Sequence, residues 1–171
     1  MKKIEELIKI AKKKGNEGWL GADVPPPIKA RLRLVHKYIK PGDLSSLGIE
    51  KDPHITVAYG IDEKIPPQLA AKLLTLPKGA KVKVTGISVF ENPEYDVLKY
   101  DIDSPKLKEI HKRIRDGIGL PGNIYKDYNP HITVAYLKKG SDTSKYEELD
   151  KILKGAEFNV SNARLNLKGD D

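Results

Sequence analysis

Cysteine is missing altogether from this sequence of 171 residues. Its absence excludes disulfides, thiolate metal sites and a cysteine nucleophile. Methionine occurs only as Met1 and glutamine only as Gln68, and this scarcity of thermolabile side chains beside many Lys and Glu points toward a thermophilic source. Long apolar runs are missing too. Nothing approaches the roughly 18 consecutive apolar residues of a membrane span, so no membrane association is expected. The start of the chain, Met1-Lys2-Lys3-Ile4-Glu5-Glu6-Leu7-Ile8, interleaves carboxylates with its apolar residues and lacks the uninterrupted core of a secretory signal. The expected location is therefore the cytoplasm. There Asn159-Val160-Ser161, although it fits a glycosylation acceptor by pattern, has no route to the glycosylation machinery.

What is present is an ordinary globular composition, 39% hydrophobic and 32% charged, at a length that fits one domain with a proper core. Basic side chains outnumber acidic ones, 31 to 24, for a formal charge of +7, which favours anionic partners such as nucleotides or RNA. Many lysines fall in helix-like stretches such as Lys12-Lys13-Lys14 and Lys106 to Lys112, where a solvated helix face accounts for them. No protein partner is expected, and the chain reads as a monomer.

Periodicity predicts an N-terminal helix over residues 3–14 on Ile4, Leu7, Ile8 and Ala11, ended by Gly15. A strand over 19–24 and a second helix carrying Ile28, Leu32, Val35 and Ile39 follow, and a loop runs from Pro41 through Gly48. Pro66-Pro67 opens a helix to Leu76. Ala80 to Phe90 and Tyr95 to Ile102 read as a hairpin, and Ser104-Pro105 starts a helix with Leu107, Ile110, Ile114 and Ile118 inward. After a Gly- and Asn-rich loop, a helix over 144–154 and one final strand over 157–167 complete the chain.

One segment occurs twice. Pro53-His54-Ile55-Thr56-Val57-Ala58-Tyr59 returns unchanged as Pro130-His131-Ile132-Thr133-Val134-Ala135-Tyr136, and these copies hold two of the four histidines. A repeated unit needs only its apolar pattern kept. The retained histidine and threonine therefore call for a chemical reason. Each proline suits the first position of a strand. Alternation with period two then puts His54, Thr56 and Ala58 on one face and Ile55, Val57 and Tyr59 on the other, with the second copy alike, so Tyr59 and Tyr136 are expected in the core. Each copy is followed by a helix and a strand, which implies two similar lobes. The expected fold is α+β and bilobal, with two antiparallel-rich sheets facing a central cleft and helices outside. It forms a single domain over residues 1–171, with residues 1–15 as a helical extension and motifs at 53–59 and 130–136.

Two opposed imidazoles can act as a general acid and a general base near neutral pH, while threonine hydroxyls hold the non-bridging oxygens of a phosphate between them. That scheme needs no metal and no cofactor. A zinc site would have to recruit Asp, Glu, His36 or His111 as a third ligand, and both spare histidines fall on predicted helices among lysines, where surface positions are expected. Trp19, Tyr125 and Tyr128 are candidates to stack on bases, and Lys138 to meet phosphates, although packing or a solvated turn would also account for them.

The two His-x-Thr motifs, each in an apolar strand, resemble the 2H phosphoesterase superfamily. The resemblance implies the bilobal fold and metal-independent chemistry on RNA-type 3′-5′ phosphodiesters or 2′,3′-cyclic phosphates, with His54, Thr56, His131 and Thr133 as catalytic residues. It also implies His54 as acid and His131 as base when a cyclic phosphate is opened, with the roles exchanged in the preceding transesterification. Within the superfamily, Phe90-Glu91-Asn92, Tyr95-Asp96-Val97-Leu98, Asp103-Ser104 and Tyr128-Asn129-Pro130-His131 look most like the phage-associated branch that includes anti-CBASS nucleases. Such enzymes degrade cyclic oligonucleotide signals, which extends the expectation to a virus-encoded protein acting in a host cytoplasm. The alternative is an RNA-end-processing enzyme that opens 2′,3′-cyclic phosphates or handles 2′-5′ linkages.

Overall fold

The computed structural model describes residues 15–123, 125 and 127–168. The helix expected over 3–14 lies outside them. Strand β1 (Gly18–Asp23) leads into helix α1 (Pro26–His36), which is capped by Pro25, opens with Pro26 and Pro27, and buries Ile28, Leu32 and Val35 on one stripe. A short 3-10 turn (Pro41–Asp43) is followed by strand β2 (Leu44–Ile49), where the sequence predicted only loop. Its Leu-Ser-Ser-Leu-Gly-Ile pattern carries no β-branched run, and it becomes a strand by pairing with the second motif copy.

Strand β3 (His54–Ile61) is the first motif, and helix α2 (Pro67–Thr75) follows it. The hairpin forms as β4 (Lys81–Glu91) and β5 (Tyr95–Asp103). Helix α3 (Pro105–Gly117) starts where Ser104 accepts a hydrogen bond from the Leu107 amide at 3.2 Å, and it turns Leu107, Ile110 and Ile114 inward. The second motif is β6 (His131–Lys138). The helix expected over 144–154 is a 3-10 segment (Ser144–Leu149) that passes into the single turn α4 (Asp150–Leu153). The expected final strand is two strands, β7 (Glu157–Asn159) and β8 (Ala163–Asn166), which join opposite ends of the sheet.

The strands run in the order β7-β4-β5-β6-β3-β1-β8, with β2 added beside β6, and every pairing is antiparallel. The two halves meet at one register pair, Ile55 with Ile132, so the motif strands touch at their starts and splay beyond. Ile55, Val57, Ile132, Val134 and Leu137 are fully buried on one face with Leu32, Val35, Leu107 and Ile110 of the helices. This places the helices behind the sheet and leaves its other face open. Among the described residues no helix is long and apolar enough to cross a membrane.

Gly60, near the end of β3, has φ of 93° and passes so close to the loop after α3 that a Cβ there would lie 2.3 Å from the Asn123 amide nitrogen and 2.5 Å from the Gly122 carbonyl carbon. Only glycine fits that crossing.

Candidate active site

Strand geometry brings the two motifs together. One step either side of the Ile55–Ile132 pair, the antiparallel direction sets His54 toward Thr133 and Thr56 toward His131. All four side chains are half-buried on the open face. His54 Nδ1 lies 2.9 Å from the Asp52 carbonyl, and His131 Nδ1 lies 2.8 Å from the Asn129 carbonyl. A carbonyl only accepts, so each Nδ1 carries the proton and each Nε2 is left for the cleft. The residue before each motif proline therefore fixes the tautomer of the histidine that follows it.

Both motif strands carry the same bulge. Leu20 pairs with Ala58 but Gly21 with Thr56, and Leu98 pairs with Ala135 but Lys99 with Thr133, so Val57 and Val134 are the extra residues. Val57 and Ala58 both turn inward, as do Val134 and Ala135. Alternation resumes one residue late, which corrects the expected faces: Ala58 and Ala135 are core, whereas Tyr59 and Tyr136 are half-buried on the His/Thr side. Tyr136 donates to Glu50 at 3.0 Å and meets the Tyr95 ring edge-on, 5.5 Å between centroids.

The two remaining histidines reach the carbonyls of the bulged residues, that of Val134 also accepting from the Glu50 amide at 2.9 Å. His111 Nδ1 lies 2.8 Å from the Val57 carbonyl, and His36 Nε2 lies 3.1 Å from that of Val134. The expectation that these histidines would be surface groups is thus corrected: His111 is 6% exposed and His36 half-buried. They come from α3 and α1 and hold matching positions behind the two motifs. Burial lowers the proton affinity of both, against the opposing pull of the carbonyl each one meets. Tyr128 joins the first of these supports, donating to the Thr56 carbonyl at 2.8 Å with its ring stacked on His111 at 4.2 Å.

The walls of the two half-sites differ. Register places Asp23 beside His54 and Asp101 beside His131, and Gly21 beside Thr56 where the other half has Lys99 beside Thr133. Over Gly21 lies the Trp19 indole, whose Cζ3 would be 2.3 Å from a Cβ there, and that ring stacks on His54 at 5.1 Å. Arg164 of β8 covers the same indole, 5.8 Å from its centroid, and pairs with Asp52. Its Nε comes within 2.9 Å of Asp23 Oδ1, close enough for an ion pair but outside the angles of a hydrogen bond, and its Nη2 is buried without a partner among the described residues. In the other half the Lys99 ammonium pairs with Asp101 and donates to Ser88 at 2.8 Å. Burial, Lys99 and His54 lower the proton affinity of His131, while the Asn129 carbonyl and Asp101 oppose them. His131 therefore gives up its proton more readily than an ordinary histidine.

Of the candidate binding residues, Trp19 sits at the site but is already stacked on His54, and Tyr128 is a support rather than a free platform. Tyr125 is exposed, with its ring edge-on to Phe90 at 6.2 Å. Lys138 ends β6, on the order of 23 Å along the strand from His131, and the structure does not bring it to the histidines. Lys99, Asp101, Asp23 and Arg164 were missed by sequence reasoning. None belongs to the repeated segment, all reach the site by cross-strand pairing, and the only sequence signal is the polar letter at alternate positions of β5 and β8 and at the end of β1. Among the described residues no group of three or more His, Asp or Glu side chains is placed to hold a metal ion.

Comparison with known proteins supplies a family. A family model described as the 2′-5′ RNA ligase superfamily matches residues 53–169. No curated protein sequence matches the chain. Among solved structures, the protein TT0787 of Thermus thermophilus has TM-score 0.64 at 20% identity, covering 87% of this chain and 86% of that one. Kluyveromyces marxianus Usb1, solved with uridine monophosphate, has TM-score 0.53 at 14% identity over 93% and 96% of the two chains. A third structure, described as a phosphoesterase, has TM-score 0.55 at 15% identity over 88% and 86%. These likenesses establish the shared fold. Because the matched stretch opens on the first His-x-Thr segment and runs through the second, the chain belongs to the 2′-5′ RNA ligase (2H phosphoesterase) superfamily.

Proposed function

We propose that the protein is a metal-independent phosphodiesterase that cleaves RNA-type 3′-5′ phosphodiesters and opens the resulting 2′,3′-cyclic phosphates, with His54, Thr56, His131 and Thr133 as its catalytic residues. The observation that carries this reading is the matched pair of Nδ1-to-carbonyl contacts, which leaves both Nε2 atoms available on one open face beside two threonines. In transesterification His54 takes the proton of a ribose 2′-OH, the 2′ oxygen attacks phosphorus, and His131 protonates the departing 5′ oxygen. Opening the cyclic phosphate exchanges the roles: His131 deprotonates water and His54 protonates the leaving ribose oxygen. The lowered proton affinity of His131 suits it to be the base of this second step. Thr56 and Thr133 donate to the non-bridging oxygens, and Lys99 adds positive charge beside Thr133.

The substrate read first is an RNA strand or its 2′,3′-cyclic end, in keeping with the superfamily. A cyclic oligonucleotide, as in the anti-CBASS branch, is favoured by a different observation. The Phe90–Tyr95 stretch that carries that resemblance forms an aromatic wall with Tyr125, against which a small ring of nucleotides could stack.

The test is incubation with chelator against cyclic di- and trinucleotides, 2′,3′-cyclic mononucleotides and a tailed RNA, with His54→Ala and His131→Ala in parallel. The expected result is cleavage that survives the chelator and falls by roughly 10²–10⁴-fold in each variant. Loss of activity under chelator sinks the metal-free scheme, and a single-histidine variant as active as the parent on every cleaved substrate removes the paired-histidine scheme. Which substrate is turned over fastest separates the two readings.

A further inference from the structure

A cavity of about 320 Å³ lies behind the wall of the first half-site, lined by Lys29, Arg33 and His36 of α1 and by Ile49, Lys51, Asp52 and Pro53 of the chain leading into β3. Lys29, Arg33 and His36 are spaced so that they share one side of the helix, flanking the stripe of Ile28, Leu32 and Val35 that faces the core. Among the described residues Lys29, Arg33 and Lys51 have no ion-pair partner. The nearby carboxylates are engaged elsewhere. Asp52 is held by Arg164, and Glu50 accepts from the Tyr136 hydroxyl at 3.0 Å and the Asp52 amide at 3.2 Å. His36 is turned to the Val134 carbonyl, and burial lowers its proton affinity. Three cations thus surround one concave space with no committed counter-charge, an arrangement that self-repulsion disfavours unless an anion enters.

The position of the cavity selects the anion. Its Asp52-Pro53 wall is the segment that ends at His54, and the Asp52 carbonyl is the group that holds the His54 imidazole. The Asp52-Pro53 segment is therefore common to the cavity and to the support of His54. We propose that this cavity binds phosphates of an RNA strand that continues from the scissile bond, making a strand rather than a small cyclic nucleotide the substrate that uses the whole surface. The proposal rests on the phosphodiesterase reading above and deepens it.

The deciding experiment compares the parent with Lys29→Gln/Arg33→Gln/Lys51→Gln, with circular dichroism and melting temperature confirming the fold and Lys29→Glu/Arg33→Glu as a second variant. Cleavage is measured on a single-stranded RNA of about ten nucleotides and on a 2′,3′-cyclic mononucleotide, and equilibrium binding on a fully 2′-O-methylated strand of the same length across a salt series. The expected result is a fall of about tenfold or more in the strand-to-mononucleotide ratio of kcat/KM, together with a shallower salt dependence of strand binding, each lost phosphate contact removing about 0.7 from the log–log slope. Equal loss on both substrates, or an unchanged salt slope, overturns the proposal. So does polyglutamate binding as tightly as the strand with the same dependence on these residues, since the cavity would then accept an acidic peptide. If the parent cleaves neither substrate, the phosphodiesterase reading fails, while binding of the 2′-O-methylated strand still reads the cavity on its own.

Discussion

Lys99 and Asp101 pull the His131 imidazole in opposite directions, the ammonium lowering its proton affinity and the carboxylate raising it. With His131 as base, activity on a 2′,3′-cyclic mononucleotide is lost as pH falls through its depressed pKa. Lys99→Gln then shifts the acid limb of the pH–kcat/KM profile upward and Asp101→Asn shifts it downward, readable in one titration series. A parallel shift in both variants would assign the limb to another group. Trp19→Ala tests the other half-site: removing the ring stacked on His54 frees the imidazole, so kcat falls more than KM changes. At this scale the sequence was unevenly legible. His54, Thr56, His131 and Thr133 stand out because the same letters occur twice. Lys99, Asp101 and Arg164 are ordinary charged letters in a chain that is 32% charged, and only strand register distinguishes them.

A bulge changes which side of a strand every later residue faces, and this is why period-two reasoning assigned the histidines and threonines to the open face yet put both tyrosines in the core. The signal was present as the apolar doublet Val57-Ala58, repeated as Val134-Ala135, which breaks the alternation just before each tyrosine. The supports of the bulges lie on other elements and gave no sequence signal at all. His111 is buried and His36 half-buried, both with lowered proton affinity, so the folded protein binds fewer protons than the unfolded chain once pH drops below the ordinary histidine range. Stability present at neutral pH is therefore lost on acidification. His111→Gln keeps a donor for the Val57 carbonyl but cannot titrate. The melting temperature of this variant is expected to fall less steeply than the parent's between about pH 7 and about pH 5. Tyr128→Phe removes the bond to the Thr56 carbonyl and is expected to cost about 1 kcal/mol in denaturant unfolding, with a larger effect on kcat than on KM if Thr56 is displaced.

For the molecule as a whole, the last two strands act as ties. β7 closes one end of the sheet on β4, and β8 closes the other on β1, carrying Arg164 to Trp19, Asp23 and Asp52. Truncation after Ser161 removes the second tie alone. It bares the edge of β1 and the guanidinium partners, so a lower melting temperature and concentration-dependent association on a sizing column are expected. The sequence showed one strand here because Glu157 to Leu167 is broken only by Val160-Ser161-Asn162, with no glycine or proline to mark the crossing. The two-lobed, antiparallel arrangement with helices behind it was legible, since hydrophobic period and the duplicated segment both report on it.

Two identical strands also pose a problem of address during folding, because nothing inside Pro-His-Ile-Thr-Val-Ala-Tyr tells a nascent chain which slot each copy should fill. The distinction comes one residue later, where the first copy continues with Gly60 and the second with Leu137. In the first slot the crossing loop stands 2.3 Å from where any Cβ would be, so a strand ending in leucine cannot dock there. Gly60 in this sense labels the first slot as one that a leucine-ended strand does not fit.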